Sequence, residues 1–298
     1  MKIILTGSLG HIGKPLTKEL VQNGHAVTVI SSSPERQKDI EALGATATIG
    51  LLEDVSFLTN AFTGADAVYT MVPPADYFDK KLDLMAYFRR LGDNFAQAIE
   101  RSGVKKVVHL SSVGAELEKG SGAILAHHAV EIIMNKLSGV AITFIRPVGI
   151  YDNLYGFVPM IKNMGLISSN YGAGDKLVWV SPIDIAAAIA EELVTPLVGR
   201  KVRYVASDEL TGNDTASVLG AAIGKPDLKW TLISDEQMQS GLEGAGMSAR
   251  NATGLVEMFA SQHSGVLTGD YYLNRPTVTG KVKAVDFAKE FAAAYKQQ

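Results

Sequence analysis

Residues 1 to 24 constrain the chain more than any other stretch. Lys2 to Thr6 is a short run of apolar and β-branched residues that stops at Gly7, which predicts a strand running into a turn. Gly7, Gly10 and Gly13 follow at the spacing GxxGxxG, and a helix with Leu16 and Leu20 on one face starts directly behind them. Each glycine has its own use. The first turns the chain sharply off the strand, the middle one admits a pyrophosphate close to backbone N–H groups, and the last lets helix and strand pack closely. The anion then sits on the helix N-terminus, where unpaired N–H groups and the macrodipole favour negative charge. Pro15 suits the first helical turn, where its missing N–H is not needed, and Asn23-Gly24 closes the helix before a second strand, Ala26 to Ile30. Cofactor contacts are therefore expected from Gly7, Leu9, Gly10, Ile12 and Gly13, with His11 either touching the pyrophosphate or serving as a solvent-facing spacer.

Beyond that unit the first half alternates. Helices are predicted at Pro34 to Leu43, Val55 to Phe62, Asp76 to Ser102 and Leu125 to Leu137, and strands at Thr46 to Ile49, Ala67 to Met71, Val107 to Leu110 and Val140 to Ile145. The fold class is α/β: a Rossmann-like, doubly wound parallel sheet whose ligands lie at the strand C-terminal ends. After Pro147 the character changes, with Gly, Ser and Asn clustered through 165 to 174 and less periodic helices from Thr215 and Asp235. The expected organisation is a dinucleotide-binding domain over 1–150, with 181–207 returning to it, and a smaller α+β substrate lobe from 151–180 and 208–298.

The strand-end loops are thus the candidate site. The second strand ends Ile30-Ser31-Ser32-Ser33-Pro34-Glu35-Arg36, without the acid that an NAD site uses for the adenosine ribose. Ser31, Ser32 and Arg36 instead suit a 2′-phosphate, so NADP(H) is the expected cofactor. The fourth strand ends Met71-Val72-Pro73-Pro74, where the double proline is either a plain strand stop or one wall of the cofactor cleft. The fifth ends His109-Leu110-Ser111-Ser112, and the sixth leads to Pro147 and Ile150.

The spacing GxxGxxG resembles the short-chain dehydrogenase superfamily, and longer stretches resemble its atypical NmrA-like branch. These are Thr6-Gly-Ser-Leu-Gly-His-Ile-Gly13, Val108-His-Leu-Ser-Ser-Val-Gly-Ala115, His127 to Glu131, Phe144-Ile-Arg-Pro-Val-Gly-Ile-Tyr-Asp-Asn153, Trp179 to Ala186 and Thr268 to Gly280. The resemblance runs essentially end to end. It implies a dinucleotide-binding fold and either an NADPH-dependent reductase or a non-catalytic redox sensor. In the superfamily a serine after the fifth strand polarises the substrate carbonyl, and a Tyr-x-x-x-Lys pair supplies the proton and holds the nicotinamide ribose. Here no tyrosine lies between Val113 and Lys136, and His127 falls at the lysine position. The resemblance thus implies Ser111 and His127 as cofactor contacts, with Ser112, His127 and Tyr151 as the candidate catalytic groups. Where relatives often carry Gly-Asp-Leu after the third strand, this chain has Gly50-Leu51-Leu52, and Asp54 reads as a helix cap. Asp184, beside Ser181-Pro182, reads as structural.

Composition closes off other classes. A net charge of −3 with no basic stretch argues against nucleic-acid or membrane binding, and no apolar run approaches the ~18 residues of a membrane span. With no cysteine there is no disulfide, thiol nucleophile or thiolate metal site, and His127 and Glu131 lack a third ligand, so no metal is expected. The expected setting is cytoplasmic and the expected partner a small, electrophilic, quinone-like molecule; a homodimer stays open. The function expected is NADPH-dependent hydride transfer to a conjugated acceptor. A quinone suits the missing tyrosine because a hydroquinone anion has a pKa low enough that it forms without a strong general acid and solvent can protonate it. The alternative is an NADP(H)-sensing regulator that binds a protein partner.

Overall fold

The computed structural model describes residues 1–297. β1 (Lys2–Leu5) and α1 (Gly13–Gln22) flank the glycine turn, and β2 (Ala26–Ser31) pairs in parallel with β1, Lys2 opposite Ala26 and Leu5 opposite Val29. The alternation continues through α2 (Gln37–Ala42), β3 (Thr46–Ile49), α3 (Val55–Phe62), β4 (Ala67–Met71), α4 (Leu84–Ser102), β5 (Lys106–Leu110), α5 (Leu125–Asn135) and β6 (Ala141–Pro147). Next come β7 (Gly149–Ile150), α6 (Val158–Met164), β8 (Ile167–Ser169), β9 (Lys176–Val180), α7 (Pro182–Val194) and β10 (Arg200–Val205). The remainder is β11 (Asp208–Thr211), α8 (Gly212–Ala222), β12 (Trp230–Leu232), α9 (Asp235–Gly244), α10 (Ala249–His263), α11 (Gly269–Leu273) and α12 (Ala284–Gln297).

Seven strands form one parallel sheet in the order β10-β6-β5-β4-β1-β2-β3. Order reverses between β1 and β4, and a crevice opens at such a reversal because the connections leave in opposite directions. One face of the sheet is covered by α1 and α7 through Leu16, Leu20, Ile185, Ile189 and Leu193; the other is covered by α3, α4 and α5 through Leu58, Phe62, Leu91, Phe95 and Val130. Each such fully buried side chain contributes about 1.5–3 kcal/mol, so the sheet and its helices form a rigid platform.

A third core joins Tyr151, Leu154 and Trp179 to Leu219, Trp230, Phe287 and Phe291, drawing on segments before α7 and after β10. Two small sheets, β11-β9-β7 and β12-β8, belong to this lobe. Asp184 ties it down: its carboxylate accepts from Ser207 Oγ at 2.7 Å and from the backbone N–H groups of Lys281 and Val282 at 2.9 and 3.0 Å. Among the described residues no helix is long and apolar enough to cross a membrane.

The largest departure from the expected bounds is at α4. The helix expected from Asp76 starts only at Leu84, because Asp76 and Asp79 each accept a local N–H bond, from Phe78 and Lys81 at 2.9 Å, and hold the chain in turns. Asp83 is the aspartate that caps α4, accepting from the N–H of Ala86 at 3.0 Å. Asp54 caps α3 as expected, accepting from Phe57.

Candidate functional site

The glycine turn lies at the reversal point. Gly7 has φ 90°, a conformation open mainly to glycine, and a Cβ built on Gly13 would run into the carbonyl oxygen of Ser8. Gly10 differs: a Cβ there would meet no protein atom nearer than 3.9 Å. Protein packing requires glycine at the outer two positions, whereas the middle one leaves room at the cleft wall for a close ligand. The start of α1 at Ile12 carries no side-chain cap; Lys14 N–H bonds the Gly10 carbonyl at 3.0 Å and Pro15 has no N–H, which leaves the N–H groups of Ile12 and Gly13 for an anion.

Around this turn is a cleft of about 430 Å³. Gly7, Gly10, His11, Ile12 and Gly13 line it with Ser31 and Ser32 from the end of β2, Met71 and Pro73 from the end of β4, and Gly50 and Leu52 after β3. These residues fit the adenosine and pyrophosphate half of a dinucleotide; Leu51, at the position where relatives often carry an acid, is exposed and outside the lining. Leu9 packs against the sheet core behind the turn. The double proline resolves as a wall as well as a stop, since Pro73 and Pro74 both face the cleft, while Val72 is buried in the α4 side of the core.

Two residues that the glycine spacing does not single out hold this region together. Thr6 is buried and its hydroxyl accepts from the N–H of Met71 at 3.1 Å, locking β1 to β4 at the reversal. Ser8 sits in the left-handed region, φ 56°, at a cost of about 1–2 kcal/mol that its bonds offset. Its N–H donates to Ile30 and its hydroxyl to Ser31 Oγ, each at 3.1 Å. Ser31 in turn donates to the carbonyl of Ser33 and accepts from its N–H. The Ser31 side chain is thus buried and engaged in shaping the loop, and Ser32 is the serine left outward for a phosphate. Arg36 is exposed, outside the lining of the cleft, and 3.6 Å from Asp39. His11 is exposed at the cleft, and its Nδ1 pairs with Asp152 in the 3₁₀ turn Tyr151–Phe157, bridging the glycine turn to the lobe.

The strand-end groups further along form a separate cluster. Ser111 Oγ donates to Glu131 at 2.5 Å, and Ser112 Oγ donates to the carbonyl of Val113 at 3.0 Å. Arg146, at the end of β6, donates to both oxygens of Glu131 at 3.0 and 2.7 Å and to Glu116 at 2.8 Å. Tyr204 joins Arg146 to Asp270 of α11. Glu131 is therefore committed to Ser111 and Arg146 and anchors α5, the helix that carries His127. The His127 ring packs edge-on against Phe88 at 4.9 Å, and burial pulls its pKa down to about 4, so it is a neutral imidazole. Beneath it His109 bonds Thr70 Oγ1 at 2.9 Å; burial first, and His127 second, pull it down to about 3.

Tyr151 needs a correction. Its side chain is 0% exposed, stacked between Trp179 at 6.0 Å and Phe287 at 4.9 Å in the lobe core. Burial first, then Asp208 and Asp184, push its hydroxyl pKa far up, so it is no proton donor to the cleft. Pro147 is also buried, its carbonyl accepting from Val113, and Ile150 packs on the sheet core. The place of the superfamily tyrosine, four residues before His127, is Ala123, which with Asn251 and Gly254 of α10 lines a cavity of about 230 Å³. A Cβ on the preceding Gly122 would strike the carbonyl of Gly254.

A sequence model described as NAD(P)H-binding matches residues 7–196. Over 226 residues the chain is 26% identical to a (4-alkanoyl-5-oxo-2,5-dihydrofuran-3-yl)methyl phosphate reductase of Streptomyces griseus, covering 75% of this chain and 74% of that one. Among solved structures, an Escherichia coli NADPH-dependent quinone oxidoreductase complexed with NADPH superposes with TM-score 0.79 at 21% identity, covering 97% of this chain and 99% of that one. Triphenylmethane reductase of Citrobacter sp. complexed with NADP(H) gives 0.77 at 20%, with 97% and 99% covered. At these identities the structural likeness carries the fold, a Rossmann-like sheet with a smaller lobe. The sequence match, running from the first glycine of the turn through α7, carries the family: the chain belongs to the NAD(P)H-binding family, in keeping with its NmrA-like resemblance.

Proposed function

We propose that this protein is an NADPH-dependent oxidoreductase acting on a small, conjugated, electron-poor acceptor such as a quinone. The observation that carries the reading is the pairing of a preformed dinucleotide cleft with a missing acid: glycine turn, Ser32 and Pro73 around the cleft, and Ala123 where a tyrosine would donate a proton. Bound NADPH supplies hydride. The chain's own residues bind and orient. Ser32 and Arg36 receive the 2′-phosphate, the N–H groups at the start of α1 receive the pyrophosphate, and neutral His127 bonds a ribose hydroxyl without adding charge. An acceptor whose reduced form is a stabilised anion can take its proton from water, so positioning carries the rate. The dihydrofuranone named in the Streptomyces relative is also a conjugated carbonyl, which favours this acceptor class over a simple ketone.

The test is loss of dihydronicotinamide absorbance when the protein meets NADPH, and separately NADH, with a panel of small quinones and unsaturated lactones. Saturable oxidation of NADPH is expected. Tight calorimetric binding of NADPH with no turnover on any of them would refute the reductase and leave the NADP(H)-sensing regulator.

A further inference from the structure

Another cavity, of about 360 Å³, lies behind the glycine turn on the far side of α1. The first turns of α1, the start of α7, the 3₁₀ turn after β7 and α12 enclose it, and His11 is a wall common to it and the dinucleotide cleft. The His11–Asp152 pair stands at this partition.

The lining has two chemically distinct sides. On one side is the flank of an aromatic column. Tyr151 stacks on Phe287, Tyr155 tilts against Phe287 at 5.3 Å, and Tyr155 stacks on Phe291 at 5.8 Å with 8° between the rings. Tyr155 and Phe287 face the cavity, and their mutual packing holds them as a rigid platform for a flat ring. On the other side Lys14 and Lys18 project one helical turn apart from α1. Among the described residues neither lysine makes an ion pair. Asp152 is engaged by His11 at the partition, so Glu290 is the carboxylate that remains to face the two ammonium groups. Glu290 and Asp152 also stand near the Tyr155 hydroxyl, whose pKa burial first and then these two carboxylates push up to about 12.

We propose that this cavity binds a small aromatic carboxylate alongside the cofactor, its ring on Tyr155 and its carboxylate on Lys14 and Lys18. The size is that of a one- or two-ring ligand. Ring stacking supplies apolar area at little entropic cost, and a carboxylate can take charge-assisted bonds from two lysines that make no ion pair of their own. Glu290, at the other end, suits a donor on the distal ring edge and disfavours a second anionic group.

The probe is 2-naphthoate, followed by its fluorescence on titration into the full-length protein, with 2-naphthamide as the uncharged isostere. Saturable binding is expected, about tenfold or more tighter for the carboxylate than for the amide. The Lys14→Ala/Lys18→Ala variant should lose that preference while binding the amide as before, with its thermal unfolding unchanged because both lysines are exposed. Saturating NADP⁺ should leave naphthoate bound. Equal affinity for acid and amide, an undiminished preference in the double variant, or full competitive displacement by NADP⁺, which would put the probe in the dinucleotide cleft, each overturns the proposal.

Discussion

Replacing Arg146 by methionine keeps the length of the side chain and removes its charge. Arg146 and Glu131 are each 7% exposed, and the bidentate bond between them is the main partner of the Glu131 carboxylate. Without it, Glu131 keeps only the Ser111 hydroxyl. Breaking one side of a buried pair costs about 3–5 kcal/mol because the other charge stays desolvated. For a chain of this size each kcal/mol moves the midpoint by about 2 °C, so thermal unfolding of Arg146→Met should fall by about 6–10 °C. Arg250→Met is the control. Its pair with Asp83 is 71% and 49% exposed, and such pairs are worth under about 1 kcal/mol. Adding Glu131→Leu to Arg146→Met should recover at least half of the loss, since the buried Glu131 carboxylate is then no longer stranded, while Glu116, 25% exposed, keeps access to water. A loss no larger than that of Arg250→Met, or a double variant that loses the sum of both singles, would refute a buried hub that fixes α5.

Other outcomes follow from the same geometry. Arg36→Asp should weaken NADPH relative to NADH by about tenfold or more, and an equal loss for both cofactors would remove Arg36 from the 2′-phosphate. Gly13→Ala, which collides with Ser8, should abolish measurable cofactor binding in calorimetry, and an unchanged titration would refute the required close approach. His127→Ala should lower turnover or NADPH affinity; unchanged values for both would take it out of the site. His109 and His127 titrate near 3 and 4 when folded, against about 6.5 unfolded, so their contribution is complete above about pH 6.5 and declines as pH falls toward 4. Each ring costs about 1.4 kcal/mol per pH unit there, and His127→Gln should make the fall in urea midpoint shallower; an unaltered slope would refute the assignment.

The parallel sheet and its glycine turn were legible because their signals are local. Lys2 to Gly13 declares strand, turn and helix within one window, and the loop residues that meet at the cleft each follow a recognisable strand end. What escaped depends on distance or on competition. Arg146, Glu131, Tyr204 and Asp270 meet from four separate segments, and no spacing announces such a cluster. The start of α4 was obscured by three aspartates of equal capping ability, of which one precedes an apolar helical repeat. Tyr151 follows a strand end as a site residue would, yet Trp179 and Phe287 claim its ring. The role of Ser8 rests on a backbone angle, which no residue spacing announces.

The divided lobe sets a timetable for synthesis. Tyr151, Leu154 and Trp179 leave the ribosome well before Leu219, Trp230 and Phe287, the residues that will cover them. Meanwhile α7 and β10 can dock on the finished sheet, since their partners in β6 and α1 already exist. The nascent chain therefore carries a folded platform with an unsheltered aromatic surface beside it. Asp184 waits on that platform for the backbone of Lys281 and Val282, so the lobe is sealed last. Chaperone dependence should concentrate in this interval, and a chain arrested before Lys281 should display a folded sheet and a sticky flank.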